Sequence, residues 1–170
     1  MQRVEAIAQD VLGSIPVSIS SNITPEFREY ARAVTTVMNS YVGPVLQRYL
    51  TSLEQKLADS NIPAPLQVVR SDGGLQSLAA AREHPVQTVL SGPSGGVNGA
   101  AFVAHRAGHD RILTFDMGGT STDVAVCVGG SPTITRETQV GSFPVRAPSV
   151  DVESIGAGGG SIASVSPVTG

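Results

Sequence analysis

The residues best equipped for chemistry lie in one stretch, Asp116-Met117-Gly118-Gly119-Thr120-Ser121-Thr122-Asp123. Glycines at 118 and 119 remove side chains, so backbone amides can wrap an anion, and Thr120, Ser121 and Thr122 add hydroxyl donors. A phosphate needs donors, and between its acids this segment is almost all donors. Asp116 and Asp123 would repel a phosphate unless a hard cation mediates, and Mg²⁺ held through oxygen ligands or water is the expected mediator. The same residues would also make a polar β-turn in which Asp116 caps backbone amides.

Glycine clusters elsewhere in the chain: at Gly73-Gly74, Gly92 with Gly95-Gly96, Gly129-Gly130, and Gly156 with Gly158-Gly159-Gly160. Ser91-Gly92-Pro93-Ser94-Gly95-Gly96 follows an apolar run and precedes a helical one. A strand, a glycine loop and a helix in that order point amides at an anion, so Ser91, Gly92, Ser94, Gly95 and Gly96 form a candidate anion loop; close packing of a helix on a sheet would use the same residues. No lysine completes a Walker A loop, the GxGxxG spacing fails, and Ser91-Gly92-Pro93 is not a GxSxG elbow. Asp72 before Gly73-Gly74 either turns the chain or reaches a ligand. His84, His105 and His109 do not share metal-ligand spacing. Cys127, the single cysteine, excludes an intramolecular disulfide and a Cys-rich zinc site. Its valine-rich setting (Val124, Val126, Val128) reads as a packing thiol in a strand.

The elements that must position these residues follow from periodicity. Residues 1–23 read as an N-terminal strand-like segment, with Val17, Ile19 and Ile23 apolar. Residues 24–60 read as helical. Thr24-Pro25-Glu26 offers a cap, a proline at the first helical position and an acid in the first turn, and Leu46, Leu50, Leu53 and Leu57 recur at helical spacing. Gly43-Pro44 breaks the pattern, giving two helices or one kinked helix. From residue 61 onward come a short strand over 66–70, a turn at 71–74, an Ala-rich helix begun by Ser77, a strand over 86–90 and a helix over 97–107. A meander follows: strands over 112–115, 124–128 and 133–140, with Gly129-Gly130 as a tight hairpin turn. The fold class is α/β.

Composition bounds the alternatives. In 170 residues, 41% are hydrophobic, enough for a core, and only 15% are charged, fewer than a free-standing domain usually carries. Part of the surface is therefore expected to face another part of a larger protein. A net charge of −3 without a basic block argues against nucleic acid. No apolar run reaches membrane-spanning length and no signal peptide opens the chain, so a cytoplasmic location is expected and a membrane partner is not.

Four blocks taken together resemble the hydantoinase A/5-oxoprolinase family: Ser71-Asp72-Gly73-Gly74, Leu90-Ser91-Gly92-Pro93-Ser94-Gly95-Gly96-Val97, Phe115-Asp116-Met117-Gly118-Gly119-Thr120-Ser121-Thr122-Asp123-Val124, and Ser154-Ile155-Gly156-Ala157-Gly158-Gly159-Gly160-Ser161-Ile162. Thr24-Pro25-Glu26-Phe27-Arg28-Glu29-Tyr30 and Asn39-Ser40-Tyr41-Val42-Gly43-Pro44 look similar too. The resemblance runs from about residue 19 to residue 160, with the blocks in the family's order.

The resemblance implies an actin-like ATPase (ribonuclease H-like) lobe, incomplete, with residues 61–170 as part of it. It implies ATP and Mg²⁺ or another divalent cation, and a cyclic amide such as 5-oxoproline or a hydantoin, or a ketone, as substrate. It also implies a partner subunit or domain of hydantoinase B type. Asp116 and Asp123 become the candidate catalytic carboxylates, with Asp116 also the candidate metal holder through water. Gly118, Gly119, Thr120, Ser121 and Thr122 become phosphate contacts, and Gly158, Gly159 and Gly160 lie near nucleotide or substrate. Family members carry an earlier glycine/threonine/aspartate hairpin that this sequence does not show. The expectation is a fragment, inactive alone, of an ATP-dependent amidohydrolase. The alternatives are another actin-like enzyme, such as a ketone carboxylase subunit or a small-molecule kinase, or a non-catalytic assembly fragment.

Overall fold

The computed structural model describes residues 2–165. Two helices open the chain, α1 (Gln2–Leu12) and the single turn α2 (Ser20–Ile23), followed by the long helix α3 (Glu29–Asp59). Two short strands, β1 (Gln67–Val69) and β2 (Leu75–Ser77), pair antiparallel around the 71–74 turn. Helix α4 (Leu78–Glu83), a 3-10 turn (Pro85–Thr88) and helix α5 (Ser91–Arg106) lead into the β region. There β3 (Arg111–Met117), β4 (Thr122–Val128) and β5 (Ser131–Pro132) are followed by β6 (Ile134–Thr135), β7 (Thr138–Val140), β8 (Phe143–Val145), β9 (Ser149–Val150) and β10 (Glu153–Ile155). The main sheet runs β10-β4-β3, with β5 on the end of β4, and every pairing is antiparallel. The protein is thus a mixed α/β fold. Among the described residues no helix is long and apolar enough to cross a membrane.

The hairpins obey local chemistry. Gly129 and Gly130 both take positive φ (65° and 74°), the pair of left-handed residues that a two-residue turn between twisted strands requires. Gly73 sits at φ 84° with the Asn98 side chain where a Cβ would stand, so no other residue fits. Asp72 turns the chain: its Oδ1 accepts the Gly74 N–H at 2.9 Å and its other oxygen pairs with Arg70. Ser77 caps α4 through its Oγ, as its position predicts.

Two apolar clusters hold the layers together. Val97 and Ala101 of α5 pack on Ala125, Cys127 and Val150, with Ile112 and Val152 beside them. Cys127 is buried there, and desolvation pushes its thiol pKa up, so it is a packing group rather than a nucleophile. Val86, Val145 and Ala147 form the second cluster against Met38, Ile23 and Val140. Buried polar groups tie both clusters to α3 and to each other. The Asn39 amide donates to Ser18 Oγ (3.1 Å) and the Glu83 carbonyl (3.3 Å), and its oxygen accepts the Val86 N–H (3.2 Å). Thr35 Oγ1 donates to the Ala31 carbonyl and accepts the Arg146 N–H, at 2.7 and 2.9 Å. Ser71, 1% exposed, donates its N–H to the Gln87 carbonyl (2.7 Å) and its hydroxyl to the same carbonyl and that of Val89, while its own carbonyl accepts the Val150 N–H (2.8 Å).

Several expected elements differ. The N-terminal segment is helical rather than strand-like: Val4, Ile7, Val11 and Leu12 recur at helical spacing, and Ile19 and Ile23 belong to the turn of α2. Thr24 does not cap α3. The proline after it holds Thr24 extended, which ends α2, and α3 begins only past Arg28, which sits at φ 82°. The Gly43-Pro44 pair interrupts nothing: α3 continues through Pro44, and Gly43 faces the Pro85 ring, its Cβ position 3.7 Å from Cγ. The expected strand at 86–90 is largely the 3-10 turn, because Pro85 fixes the first φ, Thr88 Oγ1 bonds back to the Pro85 carbonyl (2.7 Å) and Asn39 takes the Val86 N–H. The single strand expected over 133–140 is split, its halves β6 and β7 pairing with β9 and β8 respectively.

Replacing Asn39 with Leu, which keeps the branched outline without the polar atoms, strands the Val86 N–H and the Glu83 carbonyl. Urea unfolding of Asn39→Leu should show a loss of about 1–3 kcal/mol, with helical circular dichroism retained in the native baseline.

Candidate functional site

The β3–β4 register sets Asp116 directly opposite Asp123 and Met117 opposite Thr122. The hairpin closes through the Gly118 N–H, which donates to the Ser121 carbonyl at 2.9 Å. Cross-strand partners share a face, so both carboxylates lie on the face of the sheet that carries Ile112, Thr114, Ala125 and Cys127 and packs on α5. Asp116 is exposed and makes no side-chain hydrogen bond among the described residues, whereas Asp123 is half-buried and accepts the Ser154 hydroxyl. Like charges in direct opposition are unfavourable, and no salt bridge among the described residues relieves them.

The 156–161 segment docks on this hairpin. The Gly159 N–H donates to the Gly118 carbonyl (2.9 Å), Thr122 Oγ1 donates to the Ala157 carbonyl (2.6 Å), and the Gly158 N–H donates to Ser161 Oγ (3.0 Å). The approach is closest at Gly158. A Cβ there would stand 2.6 Å from the Gly119 carbonyl group and the Thr120 nitrogen, which leaves room for hydrogen alone. Gly118, Gly119, Thr120 and Ser121 remain exposed at the tip, with open space around Gly119. Thr122 is buried, its hydroxyl committed to Ala157. Gly160 is exposed, and a Cβ there would meet nothing within 4 Å.

The candidate anion loop is not a loop. Residues 91–96 are the first turns of α5, which starts after Leu90 in the left-handed region (φ 66°). Pro93 is tolerated because the first helical N–H groups have no intrahelical partner. Only Gly96 of the five comes near the carboxylates, its Cβ position 3.8 Å from Asp116 Oδ2. Gly96 and Pro93 share with Asp116 and Asp123 a cleft of about 460 Å³ between α5 and β3. Ser91, Gly92 and Gly95 border a different groove with Tyr49, Leu50 and Val68. Ser94 is buried with an unpartnered hydroxyl.

The donor set answers the question of a metal. No group of three or more His, Cys, Asp or Glu residues among those described could hold an ion. Asp116 is free to offer oxygen and Asp123 is partly committed. This fits Mg²⁺, which keeps several waters and takes one or two carboxylates plus phosphate oxygens, and it does not fit an all-protein cage.

Sequence reasoning missed Ser154, which steadies Asp123 across the β10–β4 pairing, and Ser161, which receives the Gly158 amide. Each lies within or beside a glycine-rich block, and no local signal in Glu153-Ser154-Ile155 marks the strand that brings Ser154 to Asp123.

The family described as hydantoinase/oxoprolinase matches residues 32–170. The chain is 34% identical over 162 residues to the caprolactamase subunit alpha of Pseudomonas jessenii, covering 95% of this chain and 23% of that one. It is 36% identical over 159 residues to 5-oxoprolinase 1 of Arabidopsis thaliana, covering 93% of this chain and 12% of that one. The crystal structure of the ATP-dependent caprolactamase from P. jessenii superposes with a TM-score of 0.85 at 33% identity, over 98% of this chain and 24% of that one. Nucleotide-free acetone carboxylase superposes with a TM-score of 0.77 at 30% identity, over 96% and 23%. The chain therefore spans about a quarter or less of the length of these relatives.

Gly158→Ala should force the 156–161 segment off the hairpin tip and cost about 1–3 kcal/mol, read as a lower melting temperature. Gly119→Ala, with space for its methyl group, should leave the melting temperature within a degree or two of the parent.

Proposed function

Because the chain belongs to the hydantoinase/oxoprolinase family, we propose that its hairpin tip, Asp116 and the docked 156–161 segment form the phosphate-handling half of an ATP-dependent amidohydrolase acting on a cyclic amide. The observation that carries this reading is the convergence at one end of the sheet of three glycine-bearing segments separated in sequence: Gly96 of α5, the 118–121 tip and Gly158-Gly159.

The chemistry requires such a site. A lactam carbonyl is a poor electrophile, and its oxygen a poor leaving group. Transfer of a phosphoryl group to that oxygen forms one P–O bond, breaks the bond to the departing ADP and makes the ring carbon a good electrophile; water adds to that carbon, the ring C–N bond breaks with a proton passing to the nitrogen, and a second water releases phosphate from the resulting acyl phosphate to leave the carboxylate. Catalysis of such a transfer is mostly positioning and charge neutralisation. The exposed amides of Gly118 and Gly119 and the hydroxyls of Thr120 and Ser121 supply donors for phosphate oxygens. Thr122 supports the tip from below instead, through Ala157. Asp116 holds the divalent cation through water or orients the attacking group, and Asp123 stands behind it, steadied by Ser154. When bound, Mg²⁺ neutralises charge on the phosphates next to these carboxylates. Gly158 and Gly159 bring the second segment close enough to border the same ligand.

A second reading has its own support in the likeness to acetone carboxylase, whose named reaction is the ATP-dependent carboxylation of a ketone and not the opening of a cyclic amide. The same half-site would serve both. In either case the complete enzyme includes the further length that relatives carry, and a partner subunit or domain of hydantoinase B type. Relatives named as an alpha subunit and a beta subunit support a multi-subunit assembly.

Calorimetric titration of the chain with ATP, with and without Mg²⁺, tests the reading. Binding should depend on Mg²⁺ and weaken at least tenfold in Asp116→Asn, with unfolding still cooperative. Binding that ignores both the cation and Asp116, or no binding by a folded chain, overturns the placement of a nucleotide phosphate at this hairpin.

A further inference from the structure

Helix α5 walls the carboxylate cleft, yet it is smooth. Of its 16 residues, Gly92, Gly95, Gly96 and Gly99 carry no side chain, and Ala100, Ala101 and Ala104 carry one methyl group each. Helices are keyed to their neighbours by side-chain ridges seated in grooves, and α5 has few ridges on its packed side. Val97 and Ala101 are its buried residues in the apolar cluster with β4 and β9. That packing presses α5 onto the sheet but resists a slide along the helix axis only weakly.

Two polar side chains supply what the smooth face lacks. Asn98 and His105 stand seven positions apart, two turns along one face of the helix. Each rests on a glycine of positive φ in a different hairpin turn. The Asn98 amide fills the Cβ position of Gly73 (φ 84°) in the β1–β2 turn, its Cγ 2.7 Å and its Oδ1 3.0 Å from where that carbon would stand. Its Nδ2 donates to the Ser94 carbonyl one turn back, at 2.9 Å. The His105 ring sits in the same way on Gly130 (φ 74°) in the β4–β5 turn, with Nδ1 2.9 Å and Cγ 3.2 Å from the Cβ position. Asp110 fixes that ring. Its carboxylate accepts the Nδ1–H at 2.7 Å, and its carbonyl accepts the Gly130 N–H at 3.1 Å. One notch precedes α5 in the chain and the other follows it, so together they set its place along the axis. A slide of one residue, about 1.5 Å, would drive both side chains into backbone or lift them out.

The axial position matters because the α5 backbone borders Asp116. The Cβ position of Gly96 is 3.8 Å from Asp116 Oδ2, and Pro93, Val97 and Ala100 line the cleft beside it. Gly96 lies two residues before Asn98, so movement released at the notch passes directly to the space around the carboxylate. A misplacement of about 1 Å near reacting groups can cost about a hundredfold in rate.

We propose that Asn98 and His105 are positioning residues. Seated on Gly73 and Gly130, they hold α5 where Asp116 keeps room for a hydrated cation and a phosphate oxygen. This gives the Ser71-Asp72-Gly73-Gly74 block a task, although none of its residues lines the cleft. The role in catalysis rests on the phosphate-handling reading of the hairpin; the seating of α5 does not.

The test cross-links α5 to β3. A Gly96→Cys/Asp116→Cys pair places thiols at two exposed positions across the 3.8 Å approach, and the buried Cys127 does not compete. The readout is the rate of disulfide formation in oxidised glutathione. Adding Asn98→Ala with His105→Ala should slow it at least fivefold. His105→Asn in place of His105→Ala should recover part of the rate, because its amide nitrogen stands in for Nδ1. Asn39→Leu destabilises the fold through bonds that do not involve α5, and should leave the rate unchanged. In the Mg²⁺-dependent ATP titration, Asn98→Ala with His105→Ala, on the otherwise unaltered chain, should weaken binding at least tenfold while unfolding stays cooperative. A cross-linking rate that is unchanged or faster without the two side chains overturns the proposal, as does equal slowing by Asn39→Leu or ATP binding equal to the parent's. The cross-linking uses no nucleotide, so a parent chain that binds no ATP overturns the reading of the hairpin alone, and the seating of α5 is decided by the disulfide.

Discussion

The antiparallel register of β3 on β4 is the constraint from which the rest of the site follows. Pairing Asp116 with Asp123 puts both carboxylates on the face covered by α5 and leaves a four-residue tip to close the hairpin. A slip of one residue would turn every side chain to the other face, sending Cys127 and Ala125 outward and the carboxylates away from Gly96. The register is held by packing of Ile112, Ala125 and Cys127 under Val97 and Ala101, and by Thr114 Oγ1, which bonds both backbone groups of Ala125 at 3.2 Å. The same core residues that stabilise the sheet therefore aim its chemistry.

Glycine carries the second half of the geometry, and it works against stability. A helical glycine costs about 0.8–1 kcal/mol relative to alanine, yet α5 contains Gly92, Gly95, Gly96 and Gly99. None of the four has a positive φ, and a Cβ at Gly92 or Gly99 would meet nothing within 4 Å. The fold's own packing thus does not call for glycine at either position. At Gly158 and Gly73 it does, because backbone or a side chain occupies the Cβ position. The distinction separates glycines that build the structure from glycines that keep a surface bare. Buried hydrogen bonds through Asn39, Thr35 and Ser71 stabilise the fold elsewhere, on α3 and around the 71–74 turn.

The candidate site was legible in the sequence wherever it depended on local chemistry. The hairpin at 116–123, the Gly129-Gly130 turn and the Ser77 cap are written in residues whose conformational preferences are strong and short-range. The helical N-terminus is equally written, in the spacing of Val4, Ile7 and Val11, whereas the apolar Val17, Ile19 and Ile23 beyond it have strand composition without a strand partner. What stayed hidden depended on distant partners. The 86–90 run has strand composition, yet Asn39, 47 residues away, takes the Val86 amide and Pro85 starts a 3-10 turn. The 133–140 run reads as one strand because nothing local records that β9 and β8 compete for its two halves. The 91–96 block reads as a loop because glycine and proline are helix breakers in the interior, whereas the first turn of a helix forgives proline. Ser154 was invisible as a partner of Asp123 because its role arises from the β10–β4 register.

The low charge content and the outer face of the sheet express one physical fact. Leu113, Phe115, Val126, Val128 and Ile155 form a continuous apolar surface on the face opposite α5, and monomeric proteins rarely expose contiguous patches of this kind. Burying that surface and burying the inner face would draw on the same two strands, so a covering layer would clamp β3 and β4 from both sides. Clamping is what the proposed phosphate-handling hairpin needs. Its amides stabilise developing charge only if they are held in place before the charge appears, and on the outer face of this four-stranded sheet nothing but the docked 156–161 segment braces the tip among the described residues. Asp116 sits at the junction of the hairpin tip, the β3 edge and the α5 cleft, so that layer would also steady the carboxylate. The exposed apolar face is the part of the site's rigidity that this sequence does not supply by itself.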